Sequence, residues 1–258
     1  GKENGHRLVI YNLGSRRETE IPYVTEYIYA EEGNAFMVAS TGNDSTFLPG
    51  VYHISTTDDA LKPLFRRKGD YKKLAFSESG KQLAFLGNLD TTAAQPRYAL
   101  YYGTADGTAQ QIADRDAAFL SDDKIISQHE DLRFATDGSK LYFGIATQPI
   151  LQDTNLLKEE IVNVEVWNYQ DARLHTQQKV RLEDDQKQAY LTVYHPQQKR
   201  FVQLGADDIP EVRTGDEGNA EWALGYNEVP YQRESSWSGF PVAKDIYLIN
   251  SNNGNKRQ

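Results

Sequence analysis

One ten-residue phrase recurs along the chain and restricts the fold more than any other feature. Phe76-Ser-Glu-Ser-Gly80-Lys-Gln-Leu83-Ala-Phe85 returns as Phe134-Ala-Thr-Asp-Gly138-Ser-Lys-Leu141-Tyr-Phe143. A more worn copy reads Tyr29-Ala-Glu-Glu-Gly33-Asn-Ala-Phe36-Met-Val38. The apolar residue, the glycine and the two later apolar positions keep the offsets 0, 4, 7 and 9 in all three. A glycine between two short alternating apolar runs predicts a hairpin, because glycine enters positive φ at little cost. The flanking runs then place apolar side chains at every second position, as half-buried strands do. A hairpin repeated roughly every fifty residues is the signature of a repeat architecture.

Each hairpin is followed by a second pair of strands. Val51 to Ile54 and Leu61 to Phe65 follow the first, and Tyr98 to Tyr102 and Gln110 to Ala113 the second. After Phe143 the matching pair comes much later, at Tyr190–Tyr194 and Arg200–Leu204. Four antiparallel strands joined by hairpins make the blade of a β-propeller. The fold class expected is therefore all-β: a propeller arc of about four four-stranded blades at 22–66, 70–114, 130–205 and 208–258. A half blade at 7–21 precedes them. In the fourth unit Trp222 and Leu224 read as displaced by one residue from the pattern after Gly218. The tail carries a third strand of its own, so the two ends do not complement each other. The start at Gly1-Lys-Glu-Asn-Gly5 reads as trimmed, and the whole as a segment of a longer protein.

Residues 147–188 interrupt the third blade between its second and third strands. A short helix is expected over Leu151–Val162, capped by Asp153 or Thr154, then a strand over Val162–Tyr169. Long insertions in a blade lie on the rim or over one face, where propellers acquire function.

Composition excludes several classes. The net charge of −9 opposes a nucleic-acid grip, which needs clustered Lys and Arg facing phosphates. Arg66-Arg67-Lys68 with Lys72-Lys73 is read as a solvated inter-strand turn. The absence of cysteine removes disulfides and thiolate metal sites. No run approaches the length of a membrane span. His6, His53, His129, His175 and His195 are scattered, with no zinc-type spacing. His53 reads as packed in its strand and His195 as a surface or capping residue at a turn. Asp122-Asp123, Asp184-Asp185 and Asp207-Asp208 read as turn residues bonded to nearby amides. Trp167, Tyr169, Trp222 and Trp237 read mainly as packing between blades, with an aromatic platform for a sugar or peptide as the alternative. No cofactor or metal is expected.

Val164-Glu-Val-Trp167-Asn-Tyr-Gln-Asp171-Ala-Arg173, Ala189–His195, Lys199–Leu204, Arg233-Glu-Ser-Ser-Trp237 and Asp245–Leu248 together resemble the propeller region of bacterial prolyl oligopeptidase family serine peptidases. The similarity is strongest over 132–250, and the glycine hairpins also resemble TolB-like propellers. In that family a propeller caps a C-terminal α/β-hydrolase domain whose nucleophile sits in a Gly-x-Ser-x-Gly elbow. No serine of this chain has that setting, so no catalytic residue is assigned to it. The resemblance implies a peptidase parent, a hydrolase-domain partner, a peptide substrate and a periplasmic or secreted bacterial location. It also implies a role for Glu159 and Glu160: dipeptidyl-peptidase relatives present two glutamates from a propeller insertion to the substrate's α-amino group. The alternatives are a stand-alone TolB-like interaction propeller and, more weakly, a carbohydrate-binding or lyase propeller. Exposed blade faces would lead the isolated chain to self-associate.

Overall fold

A computed structural model describes residues 5–30, 32–43, 45–58, 60–150, 168–239 and 242–258. Four antiparallel sheets follow one another along the chain. The first holds β1 (His6–Tyr11), β2 (Glu18–Ala30), β3 (Ala35–Ser40), β4 (Gly50–Ser55) and β5 (Leu61–Phe65) in sequence order. The second holds β6 (Asp70–Phe76), β7 (Gln82–Asn88), β8 (Ala99–Thr104) and β9 (Gln110–Ala113). The third is β10 (Lys124–Ile126) with β11 (Arg133–Phe134), then β12 (Leu141–Thr147), β13 (Tyr190–His195) and β14 (Arg200–Gln203). The fourth is β15 (Glu211–Thr214), β16 (Trp222–Asn227), β17 (Asp245–Asn250) and β18 (Lys256–Arg257). The chain is a β-propeller protein with an insertion in its third blade.

The cores lie between the sheets. Met37, Ala39 and Val51 of the first sheet pack against Leu83, Phe85 and Tyr101 of the second. Ala84, Leu86 and Leu100 meet Leu141, Phe143 and Ile145 of the third. Tyr142 and Val193 then meet Ile209 and Ile249. Ring stacking fills the first junction: Phe85 and Tyr101 lie 5.0 Å apart and 5° from parallel. Alternation in a strand gives each sheet two apolar faces, and stacking removes from water every face that meets a neighbouring sheet.

The repeat glycines serve the turn and the stack together. Gly80 has φ +67, and a Cβ on it would fall 2.6 Å from the Cα of Gly33 in the neighbouring hairpin. Two residues further on, side chains latch one hairpin to the next. Gln82 Nε2 donates to the Gly138 carbonyl at 3.0 Å. Buried Lys140 donates to the carbonyls of Asn219 at 2.9 Å and Ala220 at 2.7 Å.

Several sequence expectations are corrected. Trp222 and Leu224 stand one residue off the repeat's apolar positions because they belong to the other face of their sheet, with no shift of the strand itself. The fifth residue after the hairpin glycine (Val38, Phe85, Phe143) is buried toward the preceding side, and Ala223, buried and paired with Ile249 of that same core, keeps the place, while Trp222 and Leu224 belong to the opposite face. β2 runs from the N-terminal hairpin straight into the first full blade, bending at Tyr23, which has φ 58. His195 is buried, with Nε2 3.0 Å from the Ser251 carbonyl in the next sheet. Lys72 and Lys73 lie within β6 and not in a turn, and Asp184-Asp185 lie in a helix. The helix expected over 151–162, the start of the strand over 162–169, Glu159, Glu160 and Trp167 all fall outside the described residues. The helices within the described residues were not foreseen: α1 (His175–Gln186) and α2 (Gln232–Ser238).

Candidate functional site at the first-strand edge and the long-loop face

The two ends of the blades differ in their loops. Connections from first to second strand and from third to fourth are short hairpins throughout. Second-to-third connections span 41–49, 89–98, 148–189 and 228–244, and they lengthen sharply in the last two blades. Alternation of direction in an antiparallel sheet puts all four at the same end of the stack. That end carries α1 and α2.

The first strands β2, β6, β10–β11 and β15 form the edge where sheets converge, and each of the first three is bulged. The register slips after Val24 in β2 and after Lys72 in β6. In the third sheet the slip has grown to Ser127–Leu132, which splits the strand into β10 and β11. Bulges release backbone groups and turn side chains out of the ladder. Here those groups link blade to blade. Glu26 Oε1 accepts the Leu74 amide at 2.9 Å. Lys72 Nζ donates to Gln128 Oε1 at 3.2 Å, and Lys73 Nζ to Asp131 Oδ1 at 2.5 Å. Arg133 donates to Thr214 Oγ1 at 2.8 Å.

A cavity of about 500 Å³ opens beside the third of these bulges. Glu130, Arg181 of α1, Gln188, Glu211, Arg213 and Tyr226 line it. Most of its charges are already paired: Arg213 with Glu211 at 2.6 Å and Glu228 with Lys244 at 2.9 Å. Glu130 and Arg181 have no hydrogen-bond or ion-pair partner among the described residues. Glu130 is exposed at the cavity wall, its carboxyl only partly withdrawn from water. Burial first, and the Asp131 charge second, push its carboxyl above the ordinary carboxylate range. Burial likewise lowers His129, helped by Lys187, Lys73 and Lys72. The lining therefore offers one carboxyl and one guanidinium to a ligand that enters from the long-loop face.

A second cavity, also of about 510 Å³, lies between residues 168–176 and α2. Tyr169, Arg173, Arg233 and Trp237 are among its walls. Tyr169 is 81% and Trp237 73% exposed, so neither packs between blades; Trp222, at 39%, lies on the open face of the last sheet. The structure thus brings together two of the four aromatics considered as a platform and places Trp222 elsewhere. The residues missed by sequence reasoning are Glu130 and Arg181. The only sequence signal for Glu130 was the irregular stretch between two strand-like runs before Phe134, and for Arg181 its place in the 147–188 insertion.

Among the described residues no group of three His, Cys, Asp or Glu side chains could hold a metal ion. No described helix is long and apolar enough to cross a membrane.

No protein-family model and no curated protein matches the chain. Among solved structures it is similar to a eukaryotic initiation factor at 11% identity and a TM-score of 0.51, over 100% of this chain and 49% of that one. The Porphyromonas gingivalis dipeptidyl peptidase 4 aligns at 12% identity and TM-score 0.49, over 96% of this chain and 34% of that one. The β-propeller domain of the Trilobed protease from Pyrococcus furiosus aligns at 10% identity and TM-score 0.47, over 95% and 60%. Such likenesses concern the fold, and the chain spans between a third and three fifths of the length of these proteins.

Proposed function

We propose that this chain is the non-catalytic propeller of a prolyl-oligopeptidase-like serine peptidase, and that it gates and positions peptide substrates for a C-terminal α/β-hydrolase domain. The observation that carries the reading is the one-sided growth of the loops. Blades three and four place α1 and α2 at one end of the stack, beside a cavity holding a carboxyl and a guanidinium that have no partner among the described residues. A stack of rigid sheets supports such loops well, because binding groups on a fixed scaffold lose little freedom when they engage. In this reading a peptide's amino end meets Glu130 in the cavity and, as the resemblance implies, the Glu159-Glu160 pair of the insertion, and Arg181 reads an acidic group. The resemblance over 132–250 supplies the hydrolase partner and a periplasmic or secreted setting.

The test is made on the full-length product of the gene. A fluorophosphonate should label one serine outside this region, and short peptides with a free amino end should be cleaved while folded proteins are not. Glu159→Gln with Glu160→Gln should raise KM for those peptides about tenfold or more, with a much smaller change for N-acetylated ones. A full-length product with no reactive serine, recovered instead in a stable complex with envelope proteins, would establish the TolB-like role.

A further inference from the structure

The two cavities at the long-loop end are joined by the helices that line them. α1 starts at the second cavity with His175 and Thr176 and reaches the first with Arg181. α2 starts at the first with Gln232 and lines the second with Arg233 and Trp237. On either helix the step from one cavity to the other is roughly 8 Å at the α-helical rise. Each cavity has one wall from the third blade and one from the fourth, so neither is a sheet face left bare at an end of the chain.

Polar contacts fix the wall of the second cavity and leave its rings free. Gln178 Nε2 donates to Asp171 Oδ2 at 3.2 Å and to the Arg173 carbonyl at 2.9 Å, which holds the turn before α1 against the helix. Asp171 and Arg173, itself paired with Asp185, are thereby engaged. A saccharide needs hydrogen-bond partners for its hydroxyls, and these two are already taken. What remains for a ligand is Tyr169, Trp237 and the guanidinium of Arg233, which has no hydrogen-bond or ion-pair partner among the described residues. Two rings and a guanidinium suit the flat side chain of an aromatic residue. The first cavity offers Glu130 and Arg181, a carboxyl and a guanidinium that complement an ammonium and an acidic group. A peptide carries both kinds of group on one strand.

We infer that the two cavities read one extended peptide at two points: its amino-terminal ammonium at Glu130, and an aromatic side chain further along at Tyr169 and Trp237. An extended strand rises about 3.3 Å per residue, so the step between cavities places that side chain at about the third or fourth residue. The inference rests on the peptide-gating function proposed above and adds to it the side chain that is read.

The test is a position scan on the full-length gene product, treated with a fluorophosphonate so that bound peptide is not turned over. The probes are fluorescein-labelled alanine pentapeptides with a free amino end and a single Phe moved from the second position to the fifth. By fluorescence polarisation, Phe at the third or fourth position should bind about tenfold tighter than Phe at the second or fifth. Trp237→Ala should erase that advantage, and so should Tyr169→Ala; both side chains are exposed, so the fold does not depend on them. Glu130→Gln should weaken all the peptides about fivefold and keep the position preference. A flat scan, a preference that survives both aromatic substitutions, a Glu130→Gln variant that binds as the parent does, or tighter binding of maltohexaose than of any peptide overturns the inference. A product without a reactive serine but with the scan intact removes the peptidase and leaves the two-point reading, so the two fail separately.

Discussion

Lys140 is the residue on which the third and fourth blades most depend. Its ammonium is buried and held by carbonyls of the following hairpin, so it ties the third blade to that turn. Lys140→Met fills the volume and removes the donor, leaving the Asn219 carbonyl without a partner and the Ala220 carbonyl with only the Ser251 hydroxyl. Unfolding free energy should fall by about 2–3 kcal/mol, read by urea denaturation. Gly80 is constrained twice, by positive φ and by Gly33, so Gly80→Ala should cost at least about 1–2 kcal/mol. The histidines set the acid limit. Burial lowers His195 and His53 from the ordinary 6.5, and His129 follows. Each takes up its proton more readily in the unfolded chain than in the fold. Their contribution is thus constant above pH 6.5, and stability declines as pH falls below that value until the folded groups titrate. His195→Gln should flatten part of the decline between pH 6.5 and 5 in thermal unfolding curves.

At the scale of elements, the helix α1 stands apart from the sheets. None of its residues is buried, and Val180 is 83% exposed. The described ties that hold it are polar, chiefly the Arg173–Asp185 pair at 2.7 Å. Twelve residues are marginal as an isolated helix, so this element should open locally at small cost. Val180→Pro should therefore remove helical signal in circular dichroism and shift the melting temperature of the sheets by no more than about 2 °C. A large drop would mean that α1 is integral to the core. The same exposure suits an element that leans over a cavity, because it can move without disturbing a packed interface. The bulges on the first strands are the opposite case: Glu26, Lys72 and Lys73 fix them by bonds to the next blade.

For the whole molecule, stability is a sum over sheets and the junctions between them, because each sheet buries its faces only against its neighbours. Phe85, stacked on Tyr101 in the first junction, should cost about 3–5 kcal/mol when cut to alanine. The last sheet is covered on one face only, so amides of β15–β18 should exchange with solvent faster than those of β6–β9 in native-state hydrogen exchange. Protection that is uniform across the sheets would indicate that both faces of the last one are covered.

The fold was legible in the sequence because its cause is local. A glycine hairpin and period-two alternation are written within ten residues, and each repetition confirms the last. That is why the sheets and their order could be read directly from residues such as Gly80, Leu83 and Phe85. The site was not legible in the same way. Glu130 and Arg181 are fifty-one positions apart in the chain and have no pattern of their own. They share a cavity because a bulge at 127–132 and the insertion helix α1 meet at one end of the stack. The face to which Trp222 and Leu224 belong was likewise decided by stacking: strand alternation makes two faces, and only the packed sheets determine which one looks forward.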